Sequence, residues 1–391
     1  MKAGDGRRRL FCLTENAMDG SIEIPKVALY LPSLRGGGAE RVMLTLAKGF
    51  LDKGLRVDLV LVAAEGPYLE QVPQGVRIID LRSKRSLASL PGLIRYMRSE
   101  RPQAMLSTLT HTNILALWAR RLARIQLRLV VRQSENPSLG LENLPALRAL
   151  RYRKILKWSY SWADGIAVVS QGVGEELVKS FKLNRDLVTI VYNPVVTNDL
   201  TQKSLMPVAH PWFQNTGLPI VLSAGRLAWE KDFSTLIRAF KLVRQEIPAK
   251  LVILGEGEER QKLTNLIEEL DLKEDVDLPG FVLNPYPYMA HSSVFVLSSK
   301  YEGLPNVLIQ AMAVGTPVIA TDCKSGPEEI LEKGKYGGLV PVGDHDIMSR
   351  EILKVLNNYE TYKQKISQII NRANLYNADN IINKYLACLQ V

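Results

Sequence analysis

The chain alternates short apolar runs with amphipathic stretches, and it does so twice. Lys26–Leu31, Val57–Val62, Ala104–Ser107, Leu129–Val131 and Gly165–Val169 read as strands, with helix-like stretches such as Ala39–Asp52 and Asn113–Arg124 between them. Apolar strands separated by helices specify a parallel sheet with crossover helices. Val188–Val196 reads as the last strand and exit of this first unit, with Asn193 and Pro194 as structural residues. Thr197–Leu218 then breaks the pattern, being largely polar and containing Pro207 and Pro211. The alternation resumes with Pro219–Ser223, Lys250–Leu254, Asp275–Leu278, Val294–Leu297 and Pro317–Ala320. The simplest architecture is a disordered tail over residues 1–24, one α/β domain over 25–200, a second over 201–369, and a ligand between the two. Ligands of such sheets sit beyond the carboxyl ends of the strands.

Composition narrows the class. A length of 391 residues suits two domains better than one core. The three cysteines, Cys12, Cys323 and Cys388, are odd in number and lack metal spacing, which argues for a reducing compartment. No apolar run reaches the ~18 residues that spanning a bilayer requires. Arg7-Arg8-Arg9 is not followed by a signal-peptide core. A cytoplasmic chain is expected, peripheral on the inner face of the plasma membrane at most. Residues 1–200 hold 30 Lys and Arg against 18 Asp and Glu, while the remainder holds 20 against 22. The whole net charge of +10 therefore belongs to the first half, which suggests an anionic surface or substrate there.

Several segments carry chemistry. In Lys300–Ala311, Glu302 precedes Gly303, Leu304 and Pro305, and Gln310 follows Glu302 by eight positions. If Pro305 opens a helix, the free N–H groups around Asn306 form an anion site at the positive end of the helix dipole. Glu302 can then hold a sugar and Gln310 a polyol edge; the same residues also suit an ordinary strand–loop–helix corner. In Leu34–Arg41, Gly36, Gly37 and Gly38 allow close backbone approach to a ligand, or make a plain tight turn. In Ser223–Asp232, Arg226 and Lys231 stand five residues apart in a loop; they suit a departing diphosphate, or a solvated basic loop. Gly255 and Gly257 follow an apolar strand, and Gly280-Phe281-Val282 follows another. His111 lies just past Ala104–Ser107 at a helix start, placed either for a cleft or for nothing beyond the helix. Asp275-Val276-Asp277 and Asp344-His345-Asp346 have a metal-binding pattern, but they open a strand and a helix, and no metal is expected. Arg148–Trp162 interleaves cations with aromatics at helical spacing, as an anionic membrane surface requires, or as an ordinary crossover helix does. No nucleic-acid-binding module is present in the sequence.

The segments at 34–41, 223–232, 251–259 and 302–310 together resemble glycosyltransferase family 4, the retaining GT-B enzymes that use nucleotide sugars. The likeness runs from about Lys26 to the end of the chain. The family pattern places a second Glu where this chain has Gln310, a weaker partner for ribose hydroxyls. The resemblance implies two Rossmann-like domains with parallel sheets facing across a cleft, and a last helix, about 370–391, crossing back onto the first domain. It places Arg226 and Lys231 on the diphosphate, Glu302 and His111 on the donor sugar, and Gln310 on the ribose. The donor site would further include Gly37, Gly38, Gly255, Gly257, Val282, Gly303, Leu304, Pro305 and Asn306. It implies a nucleoside-diphosphate sugar, a UDP-sugar foremost, as donor, a glycan or lipid-linked acceptor, and no cofactor. A GT-B epimerase, a phosphorylase or a non-catalytic nucleotide-sugar binder are the alternatives that share the fold.

Overall fold

The computed structural model describes residues 24–138, 141, 144–215 and 217–391. The tail expected over residues 1–24 lies outside them, apart from Ile24. Among the described residues two wholly parallel sheets form. The first contains β1 (Lys26–Leu31), β2 (Arg56–Leu61), β3 (Arg77–Asp80), β4 (Ala104–Thr108), β5 (Arg128–Gln133), β6 (Gly165–Val168) and β7 (Val188–Ile190), in the order β3-β2-β1-β4-β5-β6-β7. The second contains β8 (Ile220–Ala224), β9 (Lys250–Leu254), β10 (Val276–Gly280), β11 (Val294–Leu297), β12 (Val318–Thr321) and β13 (Gly338–Val340), in the order β10-β9-β8-β11-β12-β13.

Burial explains these strands. Val27–Leu31 and Ile220–Ala224 are buried at every position, because helices cover both faces of a parallel sheet. The helices α1 (Gly38–Asp52), α2 (Thr110–Ala123), α3 (Ala146–Tyr160) and α4 (Phe233–Glu246) supply that cover. In α4, Phe233, Leu236, Ile237, Phe240 and Val243 recur at the 3–4-residue spacing of one buried stripe. Two edge strands, β3 and β13, have no apolar run of their own and were not expected. The exit segment is ordered differently from expectation: its ladder ends at Ile190, and residues 191–196 run on outside the sheet.

The polar break is also more structured than a linker. It carries short helices at Leu200–Ser204 and Pro211–Asn215. The first packs on Tyr286–Ala290, and Asn284 donates to the Lys203 carbonyl at 3.0 Å. Beyond the second sheet, α5 (Asn306–Ala313) packs against α6 (Ile366–Ala373). The chain then crosses, and α7 (Ala378–Leu389) lies on α1 and the first sheet. Ile381, Ile382, Tyr385 and Leu389 bury one stripe of α7 there, each stabilising the docking by about 1.5–3 kcal/mol. Arg128 ties the end of α7 to β5 through the Cys388 carbonyl at 2.7 Å.

Candidate active site

Each sheet reverses its winding at one place, between β1 and β4 in the first and between β8 and β11 in the second. Ligands of doubly wound sheets sit at the carboxyl side of such points. Loops from all four strand ends line a single cleft of about 790 Å³ between the two units.

The second unit builds one wall. After β8, Leu227 N–H donates to the Glu256 carbonyl, while Ser298 Oγ and Lys300 N–H, after β11, donate to the carbonyls of Lys231 and Glu230. These bonds fix the loop that carries the cations. Lys231 Nζ meets Glu302 Oε1 at 2.6 Å, and Ser299 Oγ donates to the same oxygen at 2.7 Å. Arg226 Nη2 meets Glu230 Oε1 at 2.7 Å, with the arginine side chain largely in solvent. Pro305 lies one position before α5, as its N-cap rather than its first residue, at φ −73° and ψ 97°. The first N–H groups of α5 have no carbonyl four residues back to bond. They give the cleft a helix mouth beside both cations, and Arg226, Lys231, Leu304, Pro305 and Asn306 all line it.

The first unit builds the other wall. Gly37, the N-cap of α1, and Gly38 line it with Arg35, Glu40 and Glu135. Desolvation raises the Glu40 pKa against the N–H groups of Gly37 and Glu40 itself. Desolvation likewise raises that of Glu135, which lines the cleft within reach of the Arg226 charge. The two walls touch. Gly303 approaches Ser134 so closely that a Cβ would lie 2.0 Å from the serine carbonyl oxygen. Asn193 Nδ2 donates to Asn306 Oδ1 at 2.6 Å, and Tyr192 OH donates to Glu329 at 2.6 Å.

Of the residues expected at the site, Gly37, Gly38, Arg226, Lys231, Gly255, Val282, Glu302–Asn306 and Gln310 line this cleft. Gln310 is buried, and its amide reaches Tyr286 OH at 3.4 Å. Two expected residues are not among the lining. Gly257 turns toward the protein, where a Cβ would fall 2.3 Å from the Leu227 carbonyl oxygen, so its smallness serves backbone packing. His111 sits on the first turn of α2, exposed, two residues beyond the cleft-lining Leu109; desolvation by its neighbours lowers its pKa.

Asn193 is more than the structural residue it was expected to be. It lines the cleft and joins Asn306 to Arg132, whose Nη2 donates to Asn193 Oδ1 at 2.5 Å. Arg132 is 1% exposed and is otherwise bonded to Thr108 and Tyr385, both neutral. Glu40 lay within the glycine-rich segment, and its raised pKa needs only the turn that buries it. Arg132 and Glu135 had no local signal. The Asp-x-Asp strings are structural: Asp275 pairs with Arg244 and Lys250, Asp277 with His210, and Asp344 caps the helix His345–Asn357. Among the described residues no group of three His, Cys, Asp or Glu is arranged to hold a metal ion. Burial pushes the Cys323 thiol up to about 12, so it stays protonated at neutral pH.

Solved structures share this arrangement. Anabaena HepE, crystallised with UDP and glucose, superposes with a TM-score of 0.77 at 20% identity, over 93% of this chain and 98% of that one. Two Rossmann-like units closing on a common cleft are the GT-B fold, and the family models that match both units make this a glycosyltransferase. The family described as "Glycosyltransferase Family 4" matches residues 36–199, and "Glycosyl transferases group 1" matches residues 210–372. The Campylobacter jejuni N-acetylgalactosamine-N,N'-diacetylbacillosaminyl-diphospho-undecaprenol 4-alpha-N-acetylgalactosaminyltransferase is 31% identical over 376 residues, 93% of this chain and 99% of its own length. The amylovoran biosynthesis glycosyltransferase AmsD of Erwinia amylovora is 27% identical, over 89% of this chain and 95% of its own length. The chain belongs to glycosyltransferase family 4.

Proposed function

We propose that the chain transfers a sugar, with retention, from a UDP-sugar to a hydroxyl of a lipid-linked glycan during cell-surface polysaccharide or lipid-linked oligosaccharide synthesis. One observation carries this reading: Arg226, Lys231 and the helix mouth at Leu304–Asn306 line a single cleft at the switch points of both sheets. A nucleoside diphosphate leaving group carries at least two negative charges, and fixed cations and N–H dipoles stabilise it without reorganisation. In this reading those two side chains take the part a divalent ion would otherwise take. The relatives' names supply the substrate classes, since one structure holds UDP and another relative is named for a diphospho-undecaprenol glycan.

No side chain attacks the anomeric carbon in this proposal. The bond from that carbon to the diphosphate lengthens, the acceptor hydroxyl approaches from the same face, and a departing phosphate oxygen takes the hydroxyl proton. Arg226 and Lys231 exchange or share their pairings with Glu230 and Glu302 as the diphosphate arrives. Glu302 then holds both Lys231 and the donor sugar, Gln310 holds the ribose, and Gly255 and Val282 border the nucleoside. His111 is assigned to the donor sugar from the first turn of α2.

A panel of UDP-, GDP- and ADP-sugars tests the donor. The true donor raises the melting temperature by mass action and releases nucleoside diphosphate slowly even without acceptor. Arg226→Ala and Lys231→Ala each lower turnover by about 10²–10³-fold. Full activity of either variant at saturating and subsaturating donor refutes the assignment. Stabilisation without release shows a binding protein, and inverted product anomers by NMR refute retention.

A further inference from the structure

The cleft continues past the groups assigned to the donor. Val282 follows β10 and Tyr301 follows β11, three strand steps or about 14 Å apart along the second sheet. Tyr301 therefore lines the cleft away from the nucleoside end, directly before Glu302. Glu135 of the first unit is close by, since a Cβ on Gly303 would stand 3.1 Å from the Glu135 Cα. Trp229 extends this end outward. It opens a single helical turn, Trp229–Lys231, whose other two residues line the cleft. The turn is braced: Lys231 N–H donates to the Ala228 carbonyl, and Lys300 N–H to the Glu230 carbonyl. The Trp229 ring meets Tyr301 at 5.6 Å and 70°, and Lys300 Nζ stands 5.5 Å from its centroid, yet the residue is 47% exposed. Three polar groups at this end have no hydrogen-bond partner among the described residues: the Glu135 carboxylate, the Tyr301 hydroxyl and the Trp229 indole N–H. Burial, and then the charges of Glu230 and Glu135, raise the Tyr301 pKa, so its hydroxyl stays protonated and able to donate.

From this we propose that Trp229 and Tyr301, with Glu135 beside them, bind the acceptor's glycan at the sugar next to the one being glycosylated. A pyranose combines an apolar face of C–H bonds with an edge of hydroxyls. Exposed aromatic rings beside an unpaired carboxylate match both, the rings by stacking and the carboxylate by accepting from hydroxyls. The charge here excludes other occupants. Glu135 and Glu230 repel a phosphate, and the strand order puts the nucleoside at the other end. A glycan that presents its hydroxyl to the donor sugar at Glu302 passes Tyr301 and then Trp229 as it leaves the cleft. The unit that holds the donor thus also reads the acceptor, and it selects acceptors of two or more sugars. This deepens the transferase reading and rests on it for its purpose, although glycan binding itself is measurable without transfer.

An array of bacterial surface oligosaccharides, one to five sugars long and probed with the full chain in the presence of UDP, tests the inference. Glycans of two or more sugars should be retained and monosaccharides should not. Trp229→Ala should weaken retention roughly tenfold, and Trp229→Phe should restore most of it. Tyr301→Phe, which removes only a hydroxyl that bonds nothing in the protein, should weaken it roughly threefold and decides the matter if Trp229→Ala melts early. In transfer to a retained glycan, Trp229→Ala should raise the acceptor KM while kcat and the donor KM hold, which marks lost ground-state binding. Absence of retention by the wild type, or equal retention by Trp229→Ala and Tyr301→Phe, overturns the inference. So does a Trp229→Ala effect confined to the donor KM. Retention that depends on the rings, with no nucleoside diphosphate released from any sugar nucleotide, would keep the glycan site and remove the transferase reading.

Discussion

Replacing Gly303 by alanine separates closure of the cleft from the integrity of its walls. Gly303 lies in the second unit, on the loop that leads into α5, and it meets the first unit at backbone. A Cβ there would stand 2.0 Å from the Ser134 carbonyl oxygen and 3.1 Å from the Glu135 Cα. Ordinary contact begins near 3.4 Å, so the two loops must part by more than an ångström, with no flexible side-chain end to yield. Gly303 is not among the residues of positive φ, and alanine therefore brings no local strain. Overpacking of this kind costs about 1–3 kcal/mol. Here the cost falls only on the arrangement in which the units touch, and it lowers the population of that arrangement by roughly 5–150-fold relative to an open one. Arg226, Lys231 and the helix mouth stay together on the second unit, so UDP should bind the variant almost as it binds the wild type. Turnover, which requires both walls, should fall by the closure factor. Steady-state kinetics of transfer or donor hydrolysis, UDP titration and urea denaturation measure the three quantities. Wild-type kcat with Gly303→Ala refutes the argument. So does a loss of urea resistance large enough to explain the activity, since the glycine would then be needed for folding rather than for closure.

Asn193→Ala should cost about 1–3 kcal/mol in urea denaturation, because it leaves the buried Arg132 guanidinium without one of its acceptors. Asn193→Asp should keep that stability but lose the donor to Asn306, so activity falls while the urea midpoint holds; equal losses in both variants would refute the relay. Glu100 accepts from Arg77 at 2.5 Å and from Lys26 at 2.8 Å, and these bonds hold its carboxyl pKa down to about 2. Its ionised form is therefore favoured more strongly in the folded chain than in the unfolded one. That contribution is whole above the unfolded value of about 4.3 and disappears as the pH falls through about 2. Glu100→Gln should therefore be less stable at neutral pH and flatter between those two pH values, and parallel stability curves for the two proteins would refute it.

What the sequence showed, and what it concealed, follows from the range of each interaction. β9 and β11 occupy the runs in which they were read, Lys250–Leu254 and Val294–Leu297, because a central parallel strand must be apolar on both faces and advertises itself. The edge strands β3 and β13 bury little: Arg77–Asp80 is mostly exposed, and Gly338–Val340 is three residues long. Their pairing is dictated by the neighbouring strand rather than by their own pattern. The cations of the cleft were legible for a similar reason. Arg226–Lys231 and Gly303–Asn306 each gather their cations or their helix start within a few consecutive residues, so each is visible as a local pattern. The opposite wall is assembled from separate places. Arg132 takes Thr108, Asn193 and Tyr385 from a strand end, an exit loop and the returning helix α7, and Asn193 in turn reaches Asn306 on the other unit. Each of those residues is unremarkable where it stands in the chain. A buried guanidinium bonded only to neutral oxygens is a costly feature. Its position gives that cost a use, because through Tyr385 and Asn193 it links the returning helix α7 to the contact that ties the two walls together.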